Sequence, residues 1–230
     1  MIGVRTPFSV SDHRLTDLVP LEFSMPEVLL ATGNPHKLEE VRAVLEPAGW
    51  RVLGLEDLDG PPPAEPIEDA DTFEGNARIK ARSYAAAAGR LALADDSGLE
   101  VDALDGAPGV RSARFAGVDG DRATRDGANN RLLVERMTGV EESARTARFV
   151  CAMCLASPDG EIVAETRGCF EGSIVSEPRG SNGFGYDPHL LLPGEGRTSA
   201  ELSPAEKNAR SHRGAATRAM AEAMIRMEIA

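Results

Sequence analysis

The sequence predicts an α/β fold built on a mixed sheet, and three observations carry that prediction. Short apolar runs alternate with segments of helical period in the early part of the chain, the pattern of parallel β-α-β units. Later, Pro158-Asp159-Gly160 separates two runs of strand character, a hairpin signal that adds antiparallel strands. A last amphipathic segment then closes the chain.

Residues 1–24 show no sustained period and no secretory apolar region, and Asp12, Asp17 and Glu22 argue against a transit peptide. They are read as an irregular tail, with residues 25–230 forming one folded domain; Met25, directly before the first strand, is a candidate start. Val28-Leu29-Leu30-Ala31 is a compact apolar strand, and Thr32-Gly33-Asn34-Pro35 a tight turn. A helix follows from about Pro35, with Leu38, Val41, Val44 and Leu45 on one face and proline in the first turn, where it is well tolerated. Residues 51–55 read as the second strand, and the Pro- and acid-rich stretch 59–71 as a loop. Residues 72–88 form an Ala-rich helix that Gly89 stops.

Leu91-Ala92-Leu93-Ala94 reads as a short buried strand ended by a Ser97-Gly98 turn, and 97–120 as mostly loop. An amphipathic helix over 123–137 turns Ala128, Leu132, Leu133 and Met137 inward. Residues 148–157 and 161–170 are the hairpin strands, 198–211 is a polar stretch, and 215–227 is the closing helix.

With 230 residues and 42% hydrophobic content the chain can bury a real core as one domain. Acids outnumber Lys plus Arg by 37 to 25, for a net charge of −12. That balance argues against general nucleic-acid or membrane-surface binding. It leaves room for a nucleotide substrate in a small site that is locally basic or recruits Mg²⁺. No apolar run is long enough to cross a bilayer. Of the three cysteines, Cys151 and Cys154 lie in an apolar stretch of strand character. Residues i and i+3 of a strand point to opposite faces, so the pair is not a redox couple. No second Cys/His pair completes a zinc site; both are read as core thiols. The odd count and the missing signal peptide indicate a reducing cytoplasm.

The chemistry centres on Asp95-Asp96, which follow an apolar run. Carboxylates at the end of a buried strand are costly unless compensated. A divalent cation is the usual compensation and points to phosphate chemistry; a solvated Asp-Asp turn is the alternative. Thr32-Gly33-Asn34-Pro35-His36-Lys37, between strand and helix, either binds an anion through backbone N–H groups or is a plain β-α turn. It is not a Walker A loop. Glu68, just before the Ala-rich helix, either shares a Mg²⁺ with Asp96 or only favours the helix dipole. Asn76 and Lys80, four residues apart, either pair or point into the same cleft. In Asn182-Gly183-Phe184-Gly185-Tyr186-Asp187-Pro188, two glycines expose an aromatic ring on which a base can stack. Ser211-His212-Arg213 opens the last helix, and its donors are placed either for a ligand or for structure.

Taken in order, these segments resemble the inosine triphosphate pyrophosphatase family, the Ham1-like enzymes. The resemblance runs from about Val28 to the C-terminus. Its anchors are Leu30 to Lys37, Thr72 to Ala81, Ala94 to Val101, Gly106 to Arg114, Gly183 to Pro188 and Ser211 to Gly214. It implies an elongated mixed sheet with flanking helices and two lobes around a substrate cleft. It also implies a homodimer, Mg²⁺, and hydrolysis of the purine nucleoside triphosphates ITP, dITP and XTP to monophosphate and pyrophosphate. Carried over by position, Thr32, Gly33, Asn34, Pro35, His36 and Lys37 bind the triphosphate. Glu68 and Asp96 match the metal-binding acids, Asp96 matches the catalytic base, and Ser97 matches a substrate contact. Phe184, Gly185, Tyr186, Asp187, Lys207, His212 and Arg213 match the purine pocket. Gly75 stands where many relatives carry Glu. A pyrophosphatase of other nucleotides, and a nucleotide-binding module without turnover, are the alternative readings.

Overall fold

The computed structural model describes residues 25–228; the tail expected over residues 1–24 lies outside them. One six-stranded sheet runs in the order β2-β1-β3-β4-β5-β6. Strand β1 (Glu27–Leu30) is followed by helix α1 (Pro35–Leu45), β2 (Arg51–Leu53), α2 (Phe73–Ala88) and β3 (Ala92–Val101). Then come α3 (Arg122–Arg136), β4 (Thr146–Ala156), β5 (Ile162–Ile174), β6 (Leu190–Leu191), α4 (Pro204–Arg210) and α5 (His212–Glu228). β1 is parallel to β2 and β3, and the remaining pairings are antiparallel. The sheet is mixed, as the alternation and the hairpin predict.

Local chemistry starts and stops the helices as expected. The Asn34 side chain caps α1 by accepting from His36 N at 3.1 Å, and Pro35 takes the first position. Thr72 caps α2 through Gly75 N at 3.1 Å. Gly89 ends that helix with φ of 63°, a conformation glycine adopts without penalty.

The sheet carries a core on each face. One packs Val28, Leu30, Val41, Leu45, Cys151 and Met220 between β1, β4, α1 and α5. The other packs Leu29, Ala77, Ala81, Tyr84, Ala94 and Cys154 beneath α2. Cys151 and Cys154 therefore point to opposite faces and are both buried. A third core lies at the far end of β3–β5, where Leu99, Leu133, Met137, Phe149 and Leu190 meet. Each fully buried Leu in these cores is worth about 1.5–3 kcal/mol relative to exposure.

Four expectations need correction. β2 ends at Leu53, and Leu55–Asp57 form a 3₁₀ turn. The stretch 198–211, polar in composition, contains the helix α4. Residues 102–104 and 109–114, expected as loop, form short 3₁₀ helices. Ser97-Gly98 is not a turn: β3 runs straight through it, paired residue by residue with β4 from Ala92 opposite Ala156 to Val101 opposite Ala147. Gly98 is needed for close approach rather than for turning. A Cβ there would collide with the Ser112 side chain and with the Gly109 carbonyl. Ser112 uses that proximity: its Oγ accepts from Leu99 N at 2.9 Å and donates to Gly109 O at 2.6 Å.

Candidate active site

A cleft of about 800 Å³ opens between the β1–α1 end of the sheet and the far lobe. Strand geometry decides how the two acids on its floor differ. Adjacent residues of a strand point to opposite faces, so Asp95 and Asp96 meet different partners.

Asp95 turns toward α1 and α5 and is 2% exposed. Its Oδ2 accepts from Lys37 Nζ at 2.9 Å and from Arg213 Nε at 3.2 Å. Burial opposes its charge, but Lys37, Arg213 and Lys80 outweigh burial and hold the carboxyl well below the usual carboxylate range. Asp95 is thus an anchor whose ionised form is favoured by the cations around it. It fixes one cation from the β1–α1 loop and one from the start of α5.

Asp96 turns toward α2. Its Oδ2 accepts from Asn76 Nδ2 at 3.1 Å, and Lys80 Nζ lies 3.6 Å from Oδ1. Burial is the largest influence on it and raises its carboxyl above the ordinary value, with Glu68 adding repulsion against the opposing pull of Lys80 and Asn76. Lys80 also lies 3.2 Å from Glu68 Oε2. Its own burial is outweighed by Asp96, Asp95 and Glu68, so the ammonium is held charged. Asn76 ties the Glu68 loop to the strand: its Oδ1 accepts from Ala70 N at 3.0 Å while its Nδ2 holds Asp96. Both halves of the Asn76–Lys80 pair therefore serve the cleft. Gly75 lets that loop close down, because a Cβ there would press on Ala70 at 2.6 Å.

Glu68 and Asp96 converge on one cationic position, now taken by the Lys80 ammonium. Among the described residues no cluster of three or more His, Cys, Asp or Glu side chains is arranged to hold a metal. Two hard carboxylates on an open cleft fit a cation completed by water and phosphate oxygens, the habit of Mg²⁺.

The other end of the cleft is aromatic. Phe184 presents its ring with Arg122 Cζ, Lys207 Nζ and Arg213 Cζ over it at 5.0, 5.1 and 5.9 Å. The loop that carries it is tightly held. Asp187, 2% exposed, accepts from Lys207 Nζ at 2.5 Å, Phe184 N at 2.8 Å and Ser199 Oγ at 2.7 Å. Tyr186 lines the cleft, but its ring belongs to the far core and its hydroxyl donates to Ser112 O at 2.8 Å. Gly185 is pinned from α3 through Asp126 and Asn130.

His212 stacks on Phe149 at 5.1 Å, and its Nδ1 is buried without a hydrogen-bond partner. Burial, with Arg213 and Lys207 nearby, holds its pKa well below the ordinary value, so the ring is neutral. Gly168 on β5 makes room for this turn, since a Cβ there would strike the His212 carbonyl. Arg213 is nearly spent. Nε, Nη1 and Nη2 donate to Asp95, Glu40 and Ser97, at 3.2, 2.5 and 2.8 Å.

Thr32, Gly33, Asn34, Lys37, Glu68, Asp96, Ser97, Phe184, Gly185, Tyr186, Asp187, Lys207, His212 and Arg213 all line this cleft. Pro35 and His36 do not. Pro35 opens α1, and His36 lines a neighbouring cavity of about 340 Å³ with its ring 5.9 Å from that of Phe184. Arg114, Arg122, Arg125 and Asp126 also line the cleft and were not anticipated. A signal exists only for Arg122 and Arg125, a pair of arginines in the first turn of α3, where the helix dipole disfavours cations.

The chain matches the Ham1 family model over residues 28–223. It is 51% identical over 199 residues to a dITP/XTP pyrophosphatase of an Exiguobacterium species, covering 86% of this chain and 97% of that one. It is 46% identical over 192 residues to a dITP/XTP pyrophosphatase of Bacillus licheniformis, covering 84% and 94%. Among solved structures, a HAM1 protein from Coxiella burnetii superposes with a TM-score of 0.78 at 38% identity, covering 88% of this chain and all of the other. A dITP/XTP pyrophosphatase from Mycobacterium abscessus superposes with a TM-score of 0.66 at 44% identity, covering 85% and 97%. A six-stranded mixed sheet, an acid-floored cleft and these likenesses agree: the chain belongs to the Ham1 family.

Proposed function

We propose that this protein is an enzyme that hydrolyses the deaminated purine nucleoside triphosphates ITP, dITP and XTP to the monophosphate and pyrophosphate. The observation that carries the reading is the Asp95-Asp96 pair, with one carboxylate locked by cations and its neighbour facing the cleft beside Glu68 and Lys80. The names of the relatives point to the same reaction.

Asp96 orients and deprotonates the attacking water. Asp95 is too deeply paired for that task and positions Lys37 instead. Lys37 and Lys80 set the positive potential of the phosphate region. Glu68 and Asp96 would hold Mg²⁺, which when bound withdraws charge from the α-phosphorus and stabilises the leaving pyrophosphate.

Phe184 offers the base its ring. Lys207 and the neutral His212 offer donors to a 6-oxo group. Adenine presents an amine there and would leave those buried donors unpaired, the strongest basis for rejection. Residues 25–230 are proposed to act as one pyrophosphatase domain in a homodimer, an assembly that analytical ultracentrifugation measures. The three unpaired cysteines fit a reducing cytoplasm; no helix of the described residues is long and apolar enough to cross a membrane.

The test incubates the protein with ITP, XTP, GTP and ATP, with and without Mg²⁺, and identifies the products. Monophosphate and pyrophosphate from ITP and XTP, formed only with the metal, are expected. Diphosphate and phosphate would move the attack away from the α-phosphorus. Binding without turnover would leave a nucleotide-binding module.

A further inference from the structure

The cleft holds two populations of cations. Lys37, Lys80, Lys207 and Arg213 each have a carboxylate within 4 Å. Arg114, Arg122 and Arg125 line the same cleft, and among the described residues none of them makes an ion pair. The first group is already paired within the protein and offers a substrate only its remaining N–H donors. The second is free to answer an incoming charge.

Arg122 is the best placed of the three. It opens α3 on the far lobe, yet its Nη1 donates to Asn34 Oδ1 across the cleft at 2.8 Å. Asn34 belongs to the anion loop, and its own Nδ2 is buried without a partner. The same guanidinium lies 5.0 Å from the centre of the Phe184 ring. Its placement also breaks a local rule. Helix N-termini favour anions, and the first turn of α3 carries Arg122 and Arg125 with no acid inside it. Asp121 already caps that turn through Thr124 N, so a polyanion lying against it would be met by the two arginines.

We propose that Arg122 is a positioning residue for the polyphosphate tail: its guanidinium leaves Asn34 Oδ1 for phosphate oxygens beyond the α-phosphate, bridging the two walls of the cleft over the substrate. This rests on the hydrolase reading above and deepens it. With the α-phosphate placed at Asp96, a contact of Arg122 with the phosphates beyond it is one that the monophosphate product lacks. The residue therefore discriminates by phosphate number, favouring triphosphate over the monophosphate product.

The experiment compares wild type with Arg122→Ala and Arg122→Lys. It measures KM and kcat for ITP, the inhibition constant of IMP, and thermal stability. Arg122 is exposed, and the α3 cap is made by Asp121 and Thr124, so both variants fold. For Arg122→Ala the expected result is a KM for ITP raised about tenfold, the scale of one charge-assisted hydrogen bond. The inhibition constant of IMP should change less than twofold. Arg122→Lys should recover most of the loss, because the charge is kept. Equal weakening of ITP and IMP would overturn the proposal and place Arg122 on the base or in support of Phe184. An unchanged KM would overturn it as well. Wild-type protein that fails to turn over ITP would overturn the hydrolase reading and this inference with it.

Discussion

Replacing each of the two adjacent acids by its amide separates their roles. In Asp95→Asn the shape is kept and the charge is lost. Lys37 and Arg213 then face a neutral group, although both approach the carboxylate at 2.9–3.2 Å in a buried site. Removing one partner of a buried ion pair costs about 3–5 kcal/mol. In a chain of this length each kcal/mol shifts Tm by about 2–4 °C, which predicts a fall of roughly 6–20 °C. The acid limb should change too. The folded-state pKa of Asp95 is depressed, so its stabilisation is complete above the unfolded carboxylate value and is lost as pH falls. Asp95→Asn should flatten the dependence of Tm on pH in that acid range. Asp96→Asn should behave in the opposite way. Burial already disfavours the Asp96 charge, and an amide can keep the bond from Asn76. Stability should move by less than about 1 kcal/mol, while pyrophosphate release from ITP falls by about 10²–10⁴-fold, the scale of a lost general base. Scanning calorimetry and a coupled pyrophosphate assay read both quantities. An Asp95→Asn protein as stable as wild type, or an Asp96→Asn protein that turns over normally, would refute the division of labour.

Three further outcomes are expected. His212→Phe keeps the stack on Phe149 and deletes the ring nitrogens. The preference for ITP over ATP in kcat/KM should drop about tenfold, and an unaltered ratio would remove His212 from base selection. Gly98→Ala should lower stability by roughly 1–3 kcal/mol, because the new methyl meets the Gly109 carbonyl at 2.6 Å; an unchanged Tm would mean that the 109–114 turn yields freely. Iodoacetamide at pH 8 should modify one thiol per native chain, the exposed Cys169. Burial pushes Cys151 and Cys154 up to about 12, so they stay protonated, and mass spectrometry showing their modification would contradict the packing.

The elements that could be read from sequence are those in which one local signal dominates. The Asn34-Pro35 start and the apolar stripe of α1, and the Ala-rich α2 between Thr72 and Gly89, needed nothing from the rest of the chain. The β4–β5 hairpin was equally plain. The full length of β3 is hidden in the sequence because Asp-Asp-Ser-Gly has the composition of a turn. Its continuation is imposed by β4 alongside and by the close approach of Ser112 to Gly98, neither visible locally. α4 carries a local signal of its own: Ser203-Pro204-Ala205-Glu206 is a capping box, with Glu206 Oε2 accepting from Ser203 N at 2.8 Å. Site residues divide in the same way. The anion loop, Asp96 and Phe184 sit at motif positions. Arg122 reaches Asn34 only because the chain brings residues 88 positions apart to face each other.

The charge balance and the site settle an apparent conflict. A chain with net charge −12 repels long polyanions, yet its proposed substrate carries a polyanionic tail. Inside the cleft most of the acids are engaged: Asp95 and Asp187 by cations, and Asp96 and Glu68 by Lys80. Among the lining residues without an ion pair, Arg114, Arg122 and Arg125 outnumber the acids Glu65 and Asp126, so the balance left over is positive. A nucleoside triphosphate is small enough to lie within that local field, whereas a nucleic acid would also meet the acidic exterior. Raising ionic strength should weaken ITP binding through the exposed arginines, while the buried Asp95 cluster, shielded from salt, keeps the floor of the cleft in place.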